Sequence, residues 1–164
     1  MKINKLWSNV LLISNYISEI NLYLLKNYVN NNIIFDFKNT HIYRCKTYKL
    51  NNLDFYYFWK LVNFYFLNNL INKIFKCNLN ITNIWEIVKM TEWDFLSIHT
   101  DSFHKLQWVL YLSDIKKVNW WEFYINDKLY YPNFWDIIIF NWSTPHKVLK
   151  VINGVRISVT FWFK

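Results

Sequence analysis

The chain has 164 residues, enough for one domain around one core and too few for a two-domain enzyme. Hydrophobic residues make up 54% and charged residues 18%, which excludes a disordered chain, while a single glycine stands against ten tryptophans. The formal charge of +8 is compatible with an anionic partner, but the lysines are scattered and accompany heavy use of Asn, Ile and Tyr with no Ala, a composition that AT-rich coding produces without any binding face.

The two cysteines, Cys45 and Cys77, are too few and too far apart for a disulfide framework or a thiolate metal knot, so a reducing, cytoplasmic setting is expected. Lys2 and Lys5 precede the apolar run Val10 to Ile13, but Ser8, Asn9, Ser14 and Asn15 interrupt it, and no export signal is read there. The longest apolar stretch, Leu53 to Phe75, carries Asp54, Lys60, Asn63, Asn68, Asn69 and Lys73, charges and amides that a bilayer span would not keep.

In chain order, Ile13, Ile17, Ile20 and Leu24 fall on one face of a helix expected over Ile13 to Val29, ending in the turn-prone run Asn30-Asn31-Asn32. Phe55, Trp59, Val62, Phe66, Leu70 and Ile74 recur at three- and four-residue steps and predict a second, longer helix that packs on a sheet. From Ile81 onward, short runs rich in Val, Ile, Phe and Tyr alternate with Asn, Asp and Pro. These predict seven strands of an antiparallel barrel or sandwich: Ile84 to Met90, Phe95 to Asp101, Leu106 to Leu112, Glu122 to Ile125, Asp136 to Phe140, His146 to Val151 and Val155 to Phe163. Pro132 and Pro145 fall between strands, where a missing N–H costs no ladder bond. The expected organisation is a single α+β domain over 1–164, with 1–80 mostly helical support and 81–164 the β core.

Four polar residues lie where bare hydrophobicity would not put them: His99, Asp101, His146 and Arg156. Residues two apart on a strand project to the same face, so His99 and Asp101 can aim an imidazole nitrogen and a carboxylate oxygen at one point. His146 opens a later strand that a barrel can lay beside the first, completing a face of two His and one carboxylate. Such a face leaves about three positions open on an octahedral ion, the arrangement of non-haem Fe(II) oxygenases. Arg156 and Ser158 share a face of the last strand, and a cation buried there requires an anion, which a dicarboxylate would supply.

The ordered series resembles a family, the Fe(II)- and 2-oxoglutarate-dependent dioxygenases, and specifically their prolyl-hydroxylase-like branch. It comprises Asp94 to Asp101, Val109-Leu110-Tyr111-Leu112-Ser113, Glu122-Phe123, Pro132 with Asp136 to Phe140, His146-Lys147-Val148, and Gly154-Val155-Arg156-Ile157-Ser158. The resemblance runs from about Trp85 to Lys164. It implies a double-stranded β-helix, a jelly-roll barrel with supporting N-terminal helices. It further implies Fe(II) held by His99, Asp101 and His146, and 2-oxoglutarate whose distal carboxylate pairs with Arg156, assisted by Ser158 and Tyr111. The activity implied is hydroxylation of an unactivated C–H with release of succinate and CO2, consuming O2, with ascorbate as an accessory. Asp101, a carboxylate rather than a small residue, implies hydroxylation and not halogenation. The substrate implied is a prolyl or other residue of a peptide or protein, or else a small molecule.

Three departures stand out. Trp93-Asp94, Trp120-Trp121-Glu122 and Trp135-Asp136 occupy places where family members commonly have Gly-Asp, Gly-Gly-Glu and Gly-Asp. Glycine serves such turns because it adopts φ > 0 without penalty. A gene that spells glycine with UGA, translated as though UGA meant tryptophan, would produce both the glycine shortage and the tryptophan excess; the alternative is ordinary substitution. Reading the codons at 93, 120, 121 and 135 decides between them, and UGG at all four disposes of the first.

Other readings are weighed against this one. A lone strand histidine is more often a satisfied core residue than a ligand, and Arg156 alone would more often pair with a surface carboxylate. His104 reads as a loop residue within reach of substrate, and His41 as an exposed bystander. The oxidative demethylases of nucleic-acid bases resemble the chain in His-x-Asp and the distal His, but typically bring a second arginine six residues beyond the first, where this chain has Trp162. Lysines and arginines also do not cluster among stacking aromatics, which makes nucleic acid the weaker partner. A non-catalytic metal-binding barrel is the third class, and it has no need of Arg156.

Overall fold

The computed structural model describes residues 1–7, 10–40, 43–101, 105–113, 123–134, 136–141 and 143–163. Their elements, in order, are β1 (Lys2–Trp7), β2 (Val10–Ser14), α1 (Glu19–Asn32), β3 (Asp36–Asn39), β4 (Tyr43–Lys49), α2 (Asn52–Val62), α3 (Phe64–Phe75), β5 (Ile81–Met90), β6 (Phe95–His99), β7 (Leu106–Tyr111), β8 (Phe123–Ile125), β9 (Lys128–Tyr130), β10 (Ile137–Asn141), β11 (His146–Val148) and β12 (Arg156–Phe163).

The strands join in the order β1-β2-β10-β7-β12-β5-β4-β6-β11-β8-β9, with β3 beside β4. One strand turns the corner. β4 pairs through Lys46 to Lys49 with β5 and through Tyr43 and Arg44 with β6, so the sheet curls back and its two walls face each other across an interior. This is a double-stranded β-helix with helices on its outer face, an α+β arrangement.

The two-residue period of the strands sorts side chains between two cores. On β12, Ile157, Val159, Phe161 and Phe163 face the helices, while Arg156, Ser158, Thr160 and Trp162 face the interior. On β10, Ile137 and Ile139 pack toward the helices, and Ile138 and Phe140 pack inward. Every one of those β10 side chains is fully buried, which is why the segment reads as continuous apolar sequence instead of alternation. From the helices, Leu22, Leu25, Phe58, Phe64, Leu67 and Ile71 complete the outer core, where Phe64 meets Trp108 at 4.9 Å and Phe161 at 5.0 Å between ring centroids.

Three expectations are corrected here. The segment expected to be helical from Ile13 is strand β2 up to Ser14, and the helix starts only after Ser18, whose hydroxyl caps it by accepting from the Asn21 N–H. The long helix expected along the stripe from Phe55 to Ile74 is two helices, because Asn63 takes a left-handed conformation at φ 53° that ends α2 and starts α3. That break resets the helical phase, so Phe58, Phe64, Leu67 and Ile71 are buried while Phe66, expected on the packing stripe, is 47% exposed. Finally, residues 1–80, expected to be mostly helical support, also contribute the four strands β1 to β4 to the sheet. The expected strands of the back half all appear, with ends shifted by a few residues; β9 was not anticipated. No helix among the described residues is long and apolar enough to cross a membrane.

Trp93 sits in the turn between β5 and β6 with φ 73°, the left-handed region that costs a bulky side chain and costs glycine nothing. The turn is tightly specified around it. The Asp94 carboxylate accepts from the Thr91 backbone N–H at 2.7 Å and hydroxyl at 3.0 Å, and the Trp93 N–H donates to the Val151 carbonyl at 2.8 Å. Trp120, Trp121 and Trp135 lie outside the described residues.

Candidate active site

Strands β6 and β11 pair antiparallel with His146 directly opposite His99, so the two imidazoles meet at 4.2 Å between ring centroids. Asp101 follows β6 by two residues, on the same parity as His99. One ligand atom from each of His99, Asp101 and His146 fits within 4.8 Å of the others.

The protons in this cluster are assigned by its surroundings. His146 Nδ1 lies 3.0 Å from the Thr144 carbonyl and His99 Nδ1 lies 2.8 Å from the Ser97 carbonyl. A carbonyl only accepts, so each Nδ1 carries a hydrogen and Nε2 is the ring nitrogen left to face the cluster. Burial, reinforced by the neighbouring His99, pushes the His146 pKa down to about 4, so it is neutral at pH 7. The Asp101 carboxyl is pushed up from its usual range, first by burial and then by the nearby Glu86, with His99 acting the other way.

Asp101 Oδ2 stands 3.6 Å from His146 Nε2, too far for a hydrogen bond, and has no hydrogen-bond partner among the described residues. Two imidazoles and a carboxylate therefore converge within 4.8 Å of one another. A divalent cation satisfies all three at once, and borderline imidazole and carboxylate donors suit Fe(II) and its neighbours in the first transition row. The residues present fit a metal.

These groups line a cavity of about 370 Å³ between the two walls of the curled sheet. Arg156 enters it from the opposite wall and is only 2% exposed. Its Nη1 donates to the Met90 sulfur at 3.5 Å, a weak acceptor, and its Nε has no hydrogen-bond partner among the described residues. Among the described residues no carboxylate comes within ion-pair distance of it. The guanidinium lies 5.2 Å from the centre of the Tyr111 ring, and burial pushes the Tyr111 phenol up to about 12. Ser158 lines the same cavity and is 1% exposed. A cation this deeply buried demands an anion, and the cavity between it and the metal-ligand cluster is where one would sit.

Thus His99, Asp101, His146, Arg156, Ser158 and Tyr111 are brought to one interior; His41 and His104 lie outside the described residues. Sequence reasoning passed over six more polar residues of the cavity: Lys38, Thr47, Glu86, Thr100, Gln107 and Thr160. The signal was parity. Thr160 shares the inward face of Arg156 and Ser158, Gln107 that of Val109 and Tyr111, and Glu86 that of Val88 and Met90.

No family model matches the chain, and no curated protein matches its sequence. Solved structures do match. An oxidoreductase of the 2OG-Fe(II) oxygenase family from Burkholderia pseudomallei superposes with a TM-score of 0.80 at 13% identity, over 95% of this chain and 85% of that one. The chain shares the fold of that oxygenase. A prolyl-4-hydroxylase from Pseudomonas putida gives 0.75 at 16% identity over 95% and 92% of the two chains. A prolyl hydroxylase from Trichoplax adhaerens, solved with a peptide fragment of the hypoxia-inducible factor oxygen degradation domain, gives 0.67 at 13% identity over 94% and 83%. At these identities the likeness is one of backbone architecture, so the chemistry rests on the cavity itself.

Proposed function

We propose that the chain is an Fe(II)- and 2-oxoglutarate-dependent dioxygenase that hydroxylates an unactivated C–H of a peptide or protein, with a prolyl residue the leading candidate. One observation carries the reading: a guanidinium with no carboxylate partner among the described residues faces the same cavity as a two-His, one-carboxylate cluster. A barrel that merely held metal would have no use for that cation.

In this reading His99, Asp101 and His146 would hold the iron through two imidazole nitrogens and a carboxylate oxygen. When bound, the metal and 2-oxoglutarate supply the oxidising chemistry, converting O2 and the keto acid to succinate and CO2 as the substrate is hydroxylated. The protein does the rest. Arg156 binds the distal carboxylate in a dry pocket, where an ionic hydrogen bond is strong, and Tyr111 and Ser158 flank it. The carbonyls of Thr144 and Ser97 hold the imidazoles in the tautomer that presents lone pairs inward. The apolar side chains Val88, Val109 and Leu96 exclude water between the two ends.

Fe(II) and 2-oxoglutarate added together without oxygen should produce a visible charge-transfer band, and admission of air should release succinate. Protein that binds metal yet never consumes 2-oxoglutarate would identify a non-catalytic barrel. Succinate release stimulated by methylated nucleosides and not by prolyl peptides would favour the base demethylases, whose second arginine position is occupied here by the cavity-lining Trp162.

A further inference from the structure

The cavity does not end at the metal cluster. Arg156 is paired across the sheet with Met90, whereas Thr160 is paired with Glu86, and Trp162 with Gln107. Four residues along a strand span roughly 13 Å. A five-carbon diacid anchored on Arg156 covers roughly half of that distance by its bond lengths. The end of the cavity at Glu86, Gln107 and Trp162 is therefore left for something else.

Two side-chain acceptors, on Gln107 and Glu86, line that end. Gln107 is 6% exposed, and its side-chain oxygen is buried with no hydrogen-bond partner among the described residues. Glu86 faces the same space, its carboxylate held 2.9 Å from Lys38 Nζ, so the pair adds polarity without net charge. A buried carbonyl oxygen left unpaired is costly, and a ligand that donates to it recovers that cost on binding. The arrangement suits an uncharged N–H donor better than an ammonium ion, because Lys38 already neutralises Glu86.

We infer that Gln107 is a specificity-determining residue that accepts a hydrogen bond from the substrate, namely from the backbone N–H of the residue following the one hydroxylated. This rests on the peptide-hydroxylase reading above. It predicts that a proline followed by a residue lacking an N–H is a poor ligand, because the buried oxygen then stays unpaired.

The test is calorimetric titration without oxygen, using protein loaded with Mn(II) and 2-oxoglutarate. The two probes are acetyl-Ala-Pro-Gly-Ala-amide and the same peptide with sarcosine in place of glycine, which removes one N–H. The wild type should bind the glycine peptide at least about tenfold more tightly. Gln107→Met should shrink that ratio to about twofold or less by weakening the glycine peptide alone, with Mn(II) and 2-oxoglutarate affinities unchanged. Gln107→Glu, which keeps an acceptor, should retain the preference. Equal binding of the two peptides by the wild type, or an undiminished ratio in Gln107→Met, would overturn the inference while leaving the dioxygenase reading intact. Normal 2-oxoglutarate binding with no binding of either peptide would overturn both the peptide class and the inference. Failure to bind Mn(II) and 2-oxoglutarate at all would overturn the proposed function itself.

Discussion

The two faces of β12 are made from alternate residues of one eight-residue strand, yet they obey different physics. Ile157, Val159, Phe161 and Phe163 are apolar and pack on the helices; Arg156, Ser158, Thr160 and Trp162 line the cavity. The first set contributes to folding by leaving water and filling space. In the second set, burial of Arg156 with no carboxylate partner among the described residues costs stability that a bound anion would recover. One strand thus separates stability from chemistry at intervals of a single residue, and mutations on its two faces should fail in different ways.

The largest effects belong to the ligand cluster across from it. Asp101→Ala should abolish 2-oxoglutarate turnover, a loss of at least about a thousandfold, while leaving the unfolding midpoint of metal-free protein unchanged or raised, since it removes a buried carboxyl oxygen that has no hydrogen-bond partner among the described residues. Succinate release and a thermal melt in chelator check the two halves of this statement. Retained turnover would remove Asp101 from the metal site.

Phe161→Ala makes the opposite pattern. The side chain is fully buried and stacks on Trp108 at 4.1 Å between centroids, so truncation should cost about 3–5 kcal/mol of stability through lost transfer energy and a cavity. The fraction that remains folded should bind 2-oxoglutarate normally, which denaturant titration and calorimetry would separate. Weakened 2-oxoglutarate binding by folded Phe161→Ala would show that the two faces are coupled.

The parity of β12 was legible in the sequence, and so was most of the site. Alternation over Val155 to Phe163 marks the inward residues, and His-x-Asp needs only the two-residue period to be read. What was not legible has local causes. The strands β1 and β4 carry Lys, Asn, Arg and Thr in no regular alternation, so no periodic signal marked them. Asn63 looked like any helix-surface asparagine, because its left-handed conformation leaves no trace in the apolar spacing on either side. Gln107 sits among residues buried on both faces of β7, and a polar residue inside a continuous apolar run reveals its direction only once a neighbouring strand fixes the register.

Arg156→Met sharpens the comparison further. Among the described residues the wild-type cation is buried beside the Met90 thioether and the Tyr111 side chain with no carboxylate at ion-pair distance, so methionine should stabilise the protein free of 2-oxoglutarate by about 1–4 kcal/mol. The same change should raise the 2-oxoglutarate requirement by roughly two orders of magnitude, the loss of an ionic hydrogen bond in a dry site. Added 2-oxoglutarate should raise the melting temperature of the wild type and not of the variant. An Arg156→Met protein that is less stable without the keto acid would mean that the guanidinium has a structural partner.

The smallest effect concerns a residue on neither face. Trp93 holds φ 73° in the turn before β6, half exposed, with Lys150 Nζ 4.1 Å from its ring centre. Replacing it with glycine removes the backbone strain but also the cation–π contact, worth about 0.5–1 kcal/mol when exposed, and loosens the unfolded chain. The sum of these is close to zero, so Trp93→Gly alone is a poor test. Trp93→Ala loses the same ring while keeping a Cβ, so the difference between the two variants isolates the left-handed backbone. Glycine should exceed alanine in stability by about 1 kcal/mol, read from denaturant midpoints at constant slope. Equal stability would show that the turn makes no demand for glycine at 93, and the case for a glycine-coding UGA would lose its structural support there.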